Sequence, residues 1–253
     1  MDRTGRRLLR RGDVIRFVTE TGSTNSDLAA QLRSGEGAPE GHWLVADRQV
    51  SGRGRQGRTW FDGSGNFMGS TVVHLGPRDP NPATLALVAG VAAYEAVSGL
   101  LADPSQLRLK WPNDLMLGDA KLAGILLERE GDAIIVGMGI NLAAAPELPD
   151  RKTIALSALG PAPDRDLFAR SLAGTFDTEL DRWRTYGLEP LVRRWESVAH
   201  SRGTALAVSP PGEEPLNGTF DGLTAEGALS LRLADGSTRA IHAGDVMLAN
   251  EGN

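Results

Sequence analysis

Apolar and polar positions alternate over Asp13–Val18 and Asn66–Leu75, the first run closes on Glu20-Thr21-Gly22, and His42–Asp47 also reads as a strand. Successive side chains of a strand point to opposite faces, so these runs predict strands. Between the first two, Ser23-Thr24-Asn25 offers polar side chains that can cap a helix over Ser26–Arg33, which Gly35 stops. Pro82–Leu101 is rich in Ala and Val, with small residues on every side, which predicts a helix buried against a sheet. Leu107–Lys110 reads as a short strand. The hexamer Lys110-Trp111-Pro112-Asn113-Asp114-Leu115 bends at its end, because Pro112 cannot donate to a ladder and Pro-Asn-Asp is turn chemistry. Three antiparallel strands follow at Asp114–Leu117, Lys121–Glu128 and Ala133–Ile140, turned at Gly118-Asp119 and Gly131-Asp132. Phe168, Leu172, Phe176, Leu180 and Trp183 recur at helical spacing inside Arg165–Tyr186, and Glu189–His200 forms a second helical segment. From Ser201 onward, short alternating stretches with Pro-Pro-Gly, Asn-Gly and Asp-Gly turns predict a small β-barrel.

The order of these elements predicts an α+β chain in three parts: a basic arm over residues 1–12 with five arginines, a mixed unit over 13–200, and the barrel over 201–253. The strand ends bring chemistry together. Lys110, Asp114, Lys121 and Asn141 can converge on one sheet face, and the glycines of Gly137-Met138-Gly139-Ile140-Asn141-Leu142 allow close approach to the backbone.

Composition narrows the chemistry. With no cysteine, disulfides, zinc–thiolate sites and thiol catalysis are excluded. His42, His74, His200 and His242 show no metal-ligand spacing. No apolar run is long enough to span a membrane, and the arginine-rich start is not followed by a signal-peptide core, so the expected location is cytoplasmic. A net charge of −5 argues against a general nucleic-acid coat, and one basic stretch stands out against that acidic background.

That stretch is Gly52-Arg53-Gly54-Arg55-Gln56-Gly57-Arg58-Thr59-Trp60. Three glycines permit positive φ, and three guanidinium groups suit phosphate and carboxylate oxygens. Gly52-x-Gly54-x-x-Gly57 matches the dinucleotide-binding pattern, but Arg58–Gly65 is too polar and glycine-rich to open the packed helix that pattern needs. No acidic residue stands where the ribose ligand belongs, so the Rossmann reading fails. A ligand-covering loop, an arginine–glycine nucleic-acid tract and a solvated surface loop remain open on these residues alone.

Taken in order, Gly52–Trp60, Lys110–Leu115, Lys121-Leu122-Ala123-Gly124-Ile125-Leu126 and Gly137–Leu142, with Ser23-Thr24-Asn25 and Gln49 before them, resemble the biotin protein ligases (biotin–[acetyl-CoA-carboxylase] ligases) from about Asp13 onward. The resemblance implies a catalytic domain related to class II aminoacyl-tRNA synthetases, with a mixed or antiparallel sheet and helices, followed by a small Src-homology-3-like barrel. Relatives that repress genes carry a helix-turn-helix unit ahead of this domain. Residues 1–12 cannot hold one, so a ligase-only form is expected.

The implied activity uses biotin and ATP, with Mg²⁺ arriving on ATP and no protein-held metal. Biotin's carboxylate attacks the α-phosphorus, giving biotinyl-5′-AMP. A lysine of a carboxylase's biotin carrier domain then attacks that anhydride. By resemblance, biotin falls to Ser23, Thr24, Asn25, Gln49, Arg53, Gly54, Arg55, Lys121 and Gly124, with Lys121 and Arg55 catalytic. ATP and the adenylate fall to Arg53, Arg55, Arg58, Trp60, Lys110, Asn113, Asp114 and Asn141. The expected partner is the carrier domain, with no DNA and no membrane, and the expected state is a monomer or weak homodimer. The competing readings are a lipoate or octanoate ligase of the same superfamily, whose members lack the Lys-Trp-Pro-Asn-Asp-Leu hexamer, and a nucleic-acid-binding module.

Overall fold

The computed structural model of this 253-residue chain describes residues 15–149 and 151–248. The expected basic arm lies outside the described residues, as does the start of the first strand at Asp13. A seven-stranded sheet carries the molecule: β1 (Ile15–Thr21), β2 (Trp43–Gln49), β3 (Phe67–His74), β4 (Leu107–Lys110), β5 (Asp114–Leu117), β6 (Ala120–Glu130) and β7 (Ala133–Ile140). Its order is β1-β2-β3-β7-β6-β5-β4. β1 and β2 run parallel, joined by the helix α1 (Thr24–Ser34), and the other neighbours are antiparallel.

Period-two alternation decides which helix each strand residue meets. Leu44, Val72 and Ile135 pack with Leu28 of α1 on one face. Their neighbours Val45, Val73, Ile134 and Val136 face the other way, into a core shared with α2 (Leu85–Ser98), α3 (Arg165–Tyr186) and α4 (Leu188–Ser197). The α3 stripe is buried as its spacing predicts, and Trp183 donates its indole N–H to Thr84 Oγ1 at 2.9 Å.

Three helices differ from the sequence expectation at their ends. Residues 82–84 form a 3₁₀ turn before α2, with Asn81 accepting from the Ala83 N–H, and the helix ends at Ser98. α1 begins at Thr24, so Thr24 and Asn25 sit inside its first turn, while Ser23 takes the cap position without a side-chain cap bond. Their side chains bond elsewhere. α4 stops at Ser197, and the next residues run beside β4, where the Leu109 N–H donates to Val198 O at 2.9 Å. That pairing covers the open edge of the sheet.

A second sheet holds β8 (Ala205–Ser209), β9 (Leu216–Leu223), β10 (Leu229–Arg232), β11 (Thr238–Ile241) and β12 (Asp245–Leu248), in the order β11-β10-β9-β8-β12 and antiparallel throughout. Its apolar face continues the main core. Trp195 of α4 meets Phe220 with ring centroids 6.4 Å apart. The turn between β11 and β12 reaches over the large sheet.

Candidate active site

Every residue assigned by resemblance to biotin, ATP or catalysis lines one cleft of about 730 Å³, floored by β3, β5, β6 and β7 and walled by the Gly52–Trp60 loop and the start of β12. The floor is made by what β7 lacks. A Cβ on Gly137 would collide with the Asn25 amide, and one on Gly139 with the Trp60 indole, so these glycines let both side chains lie flat on the sheet.

One end of the cleft is neutral and densely bonded. The Thr24 N–H donates to Gln49 Oε1 at 2.7 Å, and Thr24 Oγ1 lies 3.0 Å from that oxygen and 2.6 Å from Ser70 Oγ. Ser70 Oγ–H donates to Asn25 Oδ1 at 2.6 Å, and Asn25 Nδ2–H donates to Glu128 Oε2 at 2.7 Å. Thr24, Asn25, Gln49 and Ser70 are all buried. Gln49 is steadied from behind, since its own N–H donates to Asp62 Oδ1 at 3.0 Å.

The other end is charged. Lys110 and Asp114 stand opposite each other across the β4–β5 hairpin, 3.6 Å apart from Nζ to Oδ2. A register shift between Leu115 and Met116 lets Lys121 of β6 reach the same carboxylate, Nζ donating to Oδ1 at 2.6 Å. Burial alone would raise the Asp114 carboxyl. The adjacent Lys121 and Lys110 ammoniums, with Arg151 further off, outweigh it and hold the group below its ordinary value. Lys121 also lies 5.8 Å from the centroid of the Trp60 ring. Two buried polar atoms here have no hydrogen-bond partner, the Trp60 Nε1–H and Asn141 Oδ1. Such atoms are rare unless a ligand takes them up.

The loop above is a closed turn, not a strand-to-helix junction. The Gly54 N–H donates to Arg58 O at 2.7 Å and the Trp60 N–H to Gly52 O at 2.9 Å. Between them Gln56 and Gly57 both take positive φ, 56° and 73°. No helix follows, as the rejection of the dinucleotide pattern requires. Arg53 Nη2 donates to Ser26 Oγ at 2.5 Å. Arg55 donates to Asn113 Oδ1 at 3.0 Å and Gly244 O at 2.9 Å. Arg58 pairs with Asp245. The carboxylates lining the cleft, Asp114 and Asp245, are thus both ion-paired to cations.

Sequence reasoning missed several of these groups. Ser70 sits in an alternating strand that gives no sign of its bonds, and Glu128 ends a segment valued only for its first residues. Arg151 and Thr153 line the cleft from the stretch after β7, where the sequence predicts no element, and Gly244 and Asp245 come from the end of the second sheet. Only the repeated polar residues near Arg151 could have hinted at a return to the site.

A sheet-floored cleft with amide and hydroxyl groups at one end, a lysine pair at the other and an arginine loop above suits a ligand that is neutral and polar at one end and anionic at the other. The Biotin/lipoate A/B protein ligase family matches residues 17–142, and the Biotin protein ligase C terminal domain matches residues 209–248. The biotin–[acetyl-CoA-carboxylase] ligase of Paracoccus denitrificans is 34% identical over 227 residues, spanning 85% of this chain and 93% of that protein. The enzyme of the same description from Mycobacterium tuberculosis is 33% identical over 237 residues, spanning 91% and 87%. The biotin protein ligase from Aquifex aeolicus in complex with biotin and ATP superposes with a TM-score of 0.82 at 27% identity, over 93% of this chain and 98% of that one. The chain belongs to the biotin–[acetyl-CoA-carboxylase] ligase family.

Proposed function

We propose that this chain joins biotin to a carboxylase's biotin carrier domain at the expense of ATP, through biotinyl-5′-AMP. The carrying observation is the cleft itself, polar and neutral at the Thr24–Gln49 end, cationic at the Lys110–Lys121 end, with arginines closing between. In this reading Ser23, Thr24, Asn25 and Gln49 receive the ureido ring, and Gly124 leaves room for the carboxylate arm. Lys121 neutralises the biotin carboxylate and the α-phosphate as they meet, and Arg53 and Arg55 cover them. Charge stabilisation of this kind accounts for catalysis without a covalent enzyme intermediate.

Trp60 and Asn141 take the adenosine, and Lys110, Asn113, Asp114 and Arg58 the phosphate region. Arg151 joins them. Mg²⁺ comes on ATP, held by phosphate oxygens and water, and screens their charge when bound. The ion pairs of Asp114 and Asp245 fit that arrangement, since neither carboxylate is spare. The larger sheet with its helices then corresponds to a class II synthetase-like catalytic domain over residues 13–200, and the smaller one to a Src-homology-3-like barrel over 201–253. The acceptor is a lysine of the carrier domain.

Biotin-dependent exchange of labelled pyrophosphate into ATP tests the reading beside lipoate and octanoate. Exchange with biotin alone supports it. Exchange with lipoate but not biotin overturns it.

A further inference from the structure

The neutral end of the cleft contains a chain of hydrogen bonds whose direction is fixed from one end. Glu128 is a carboxylate and can only accept, so the Asn25 group facing it is the NH₂. Asn25 therefore turns its oxygen to Ser70, and that oxygen can only accept. Ser70 has a single proton and gives it to Asn25. Across the 2.6 Å contact between hydroxyls, Thr24 must then be the donor. Thr24 has one proton for two acceptors, Ser70 Oγ at 2.6 Å and Gln49 Oε1 at 3.0 Å, so its Oγ1 offers only lone pairs to a ligand. At the far side, the backbone N–H of Thr24 requires an acceptor and holds Gln49 by its oxygen, which leaves the Gln49 NH₂ as the donor of that amide. Thr24 and Gln49 thus stand side by side as an acceptor and a donor.

Resting on the ligase reading above, we propose that Glu128 and Ser70, acting through Asn25, are the positioning residues that make Thr24 an obligate acceptor. They thereby make the site specific for a ring that places an N–H beside a carbonyl, as a cyclic urea does. Neither residue needs to touch the ligand. A ring that put oxygen opposite Thr24 would meet lone pairs with lone pairs, or force Thr24 to turn its proton away and leave the buried Ser70–Thr24 contact without one. A neutral amide in place of Glu128 removes the constraint, because it can donate to the Asn25 oxygen and let every proton in the chain reverse. Arg53 Nη2 lies 3.8 Å from Glu128 Oε1, while Asn25 Nδ2 bonds the carboxylate's other oxygen.

The experiment measures kcat/KM in pyrophosphate exchange for biotin and for the two cyclic-carbamate analogues in which one or the other ring N–H is replaced by oxygen. Each enzyme is scored by its own ratio, so a loss of folded protein cancels. Wild type should reject at least one carbamate by about a hundredfold or more, as sites built around a substrate N–H do. Glu128→Gln should bring that ratio below about tenfold, chiefly through KM, with Ser70→Ala changing it in the same direction. An unchanged ratio in Glu128→Gln and Ser70→Ala, with biotin still used, overturns the proposal and leaves the ligase reading standing. Wild type that fails to exchange with biotin at all defeats the ligase reading itself.

Discussion

The floor of the cleft and the loop above it both carry polar groups and hold them in opposite ways. On the floor, Thr24, Asn25, Gln49, Ser70, Lys110 and Asp114 are buried and bonded to one another before any ligand arrives. In the loop, the Arg53 and Arg58 side chains are half exposed, and the three arginines reach out to other elements: Arg53 to Ser26, Arg55 to Asn113 and Gly244, Arg58 to Asp245. Sheet geometry gives the floor a fixed charge pattern. The loop has only exchangeable contacts, and exposed ion pairs of that kind are worth about 1 kcal/mol or less. The floor is preorganised, and in the function proposed above closure falls to the loop.

The largest effect should come from the floor. Lys121→Ala removes the cation nearest Asp114 and should lower adenylation by roughly two to three orders of magnitude, with biotin still bound. It should also lower Tm, because Asp114 stays buried with one close counter-ion fewer. Wild-type exchange rates in this variant would show that the charged end does not act on the reaction.

The loop should respond to ligand where the floor does not. Trypsin at Arg53, Arg55 and Arg58 should cut the free protein quickly. At ligand concentrations about a hundred times Kd, biotin with ATP should slow cleavage by roughly a hundredfold, while an oligonucleotide at physiological salt protects poorly. Equal protection by nucleic acid would move the loop from lid to nucleic-acid site.

A smaller change isolates closure from chemistry. Arg55→Gly loses the contacts to Asn113 and Gly244 but none on the floor. It should still form biotinyl-5′-AMP and release it about tenfold faster or more, since a single charge-assisted hydrogen bond is worth about that factor. Labelling of bystander lysines in a mixed-protein assay reads this out. Label confined to the carrier protein would remove Arg55 from the closure.

The smallest effect concerns the strip that braces the charged floor. Burial, and then the nearby Lys110 and Arg108 charges, push the His200 imidazole down to about 4. The unfolded chain takes up a proton near pH 6.5 and the folded one does not, so the stability present above pH 6.5 is lost as pH falls toward 4. Discounted for partial exposure, moving from pH 7 to pH 5 should cost about 1 kcal/mol at this group, and His200→Gln should flatten that part of a urea-denaturation profile. An unchanged slope in the variant would assign the loss to other groups.

Much of this molecule was legible along the chain. The alternation of Leu44 with Val45 and of Val72 with Val73 marks strands with two buried faces, and the α3 stripe marks its helix, because both depend on periods only a few residues long. The residue types at Gly52–Trp60, Lys110–Leu115 and Lys121 also pointed to the cleft, since dense glycine, arginine and lysine have few uses in a packed core.

Other features depended on distance. The strand order that sets β3 beside β7 brings Ser70 to Asn25 across 45 residues and Asn25 to Glu128 across 103, and no local period encodes those separations. Contact between Arg58 and Asp245 spans 187 residues and two sheets. Ser23-Thr24-Asn25 shows the same limit at close range. Read locally, its side chains cap a helix, but in the folded chain the Gln49 and Glu128 side chains lie within reach and win them. Hydrogen-bonding groups pair with whatever the closed topology brings near. The sequence by itself therefore determined the elements and the kinds of chemistry present, and only the tertiary structure decided which proton each group gives and to whom.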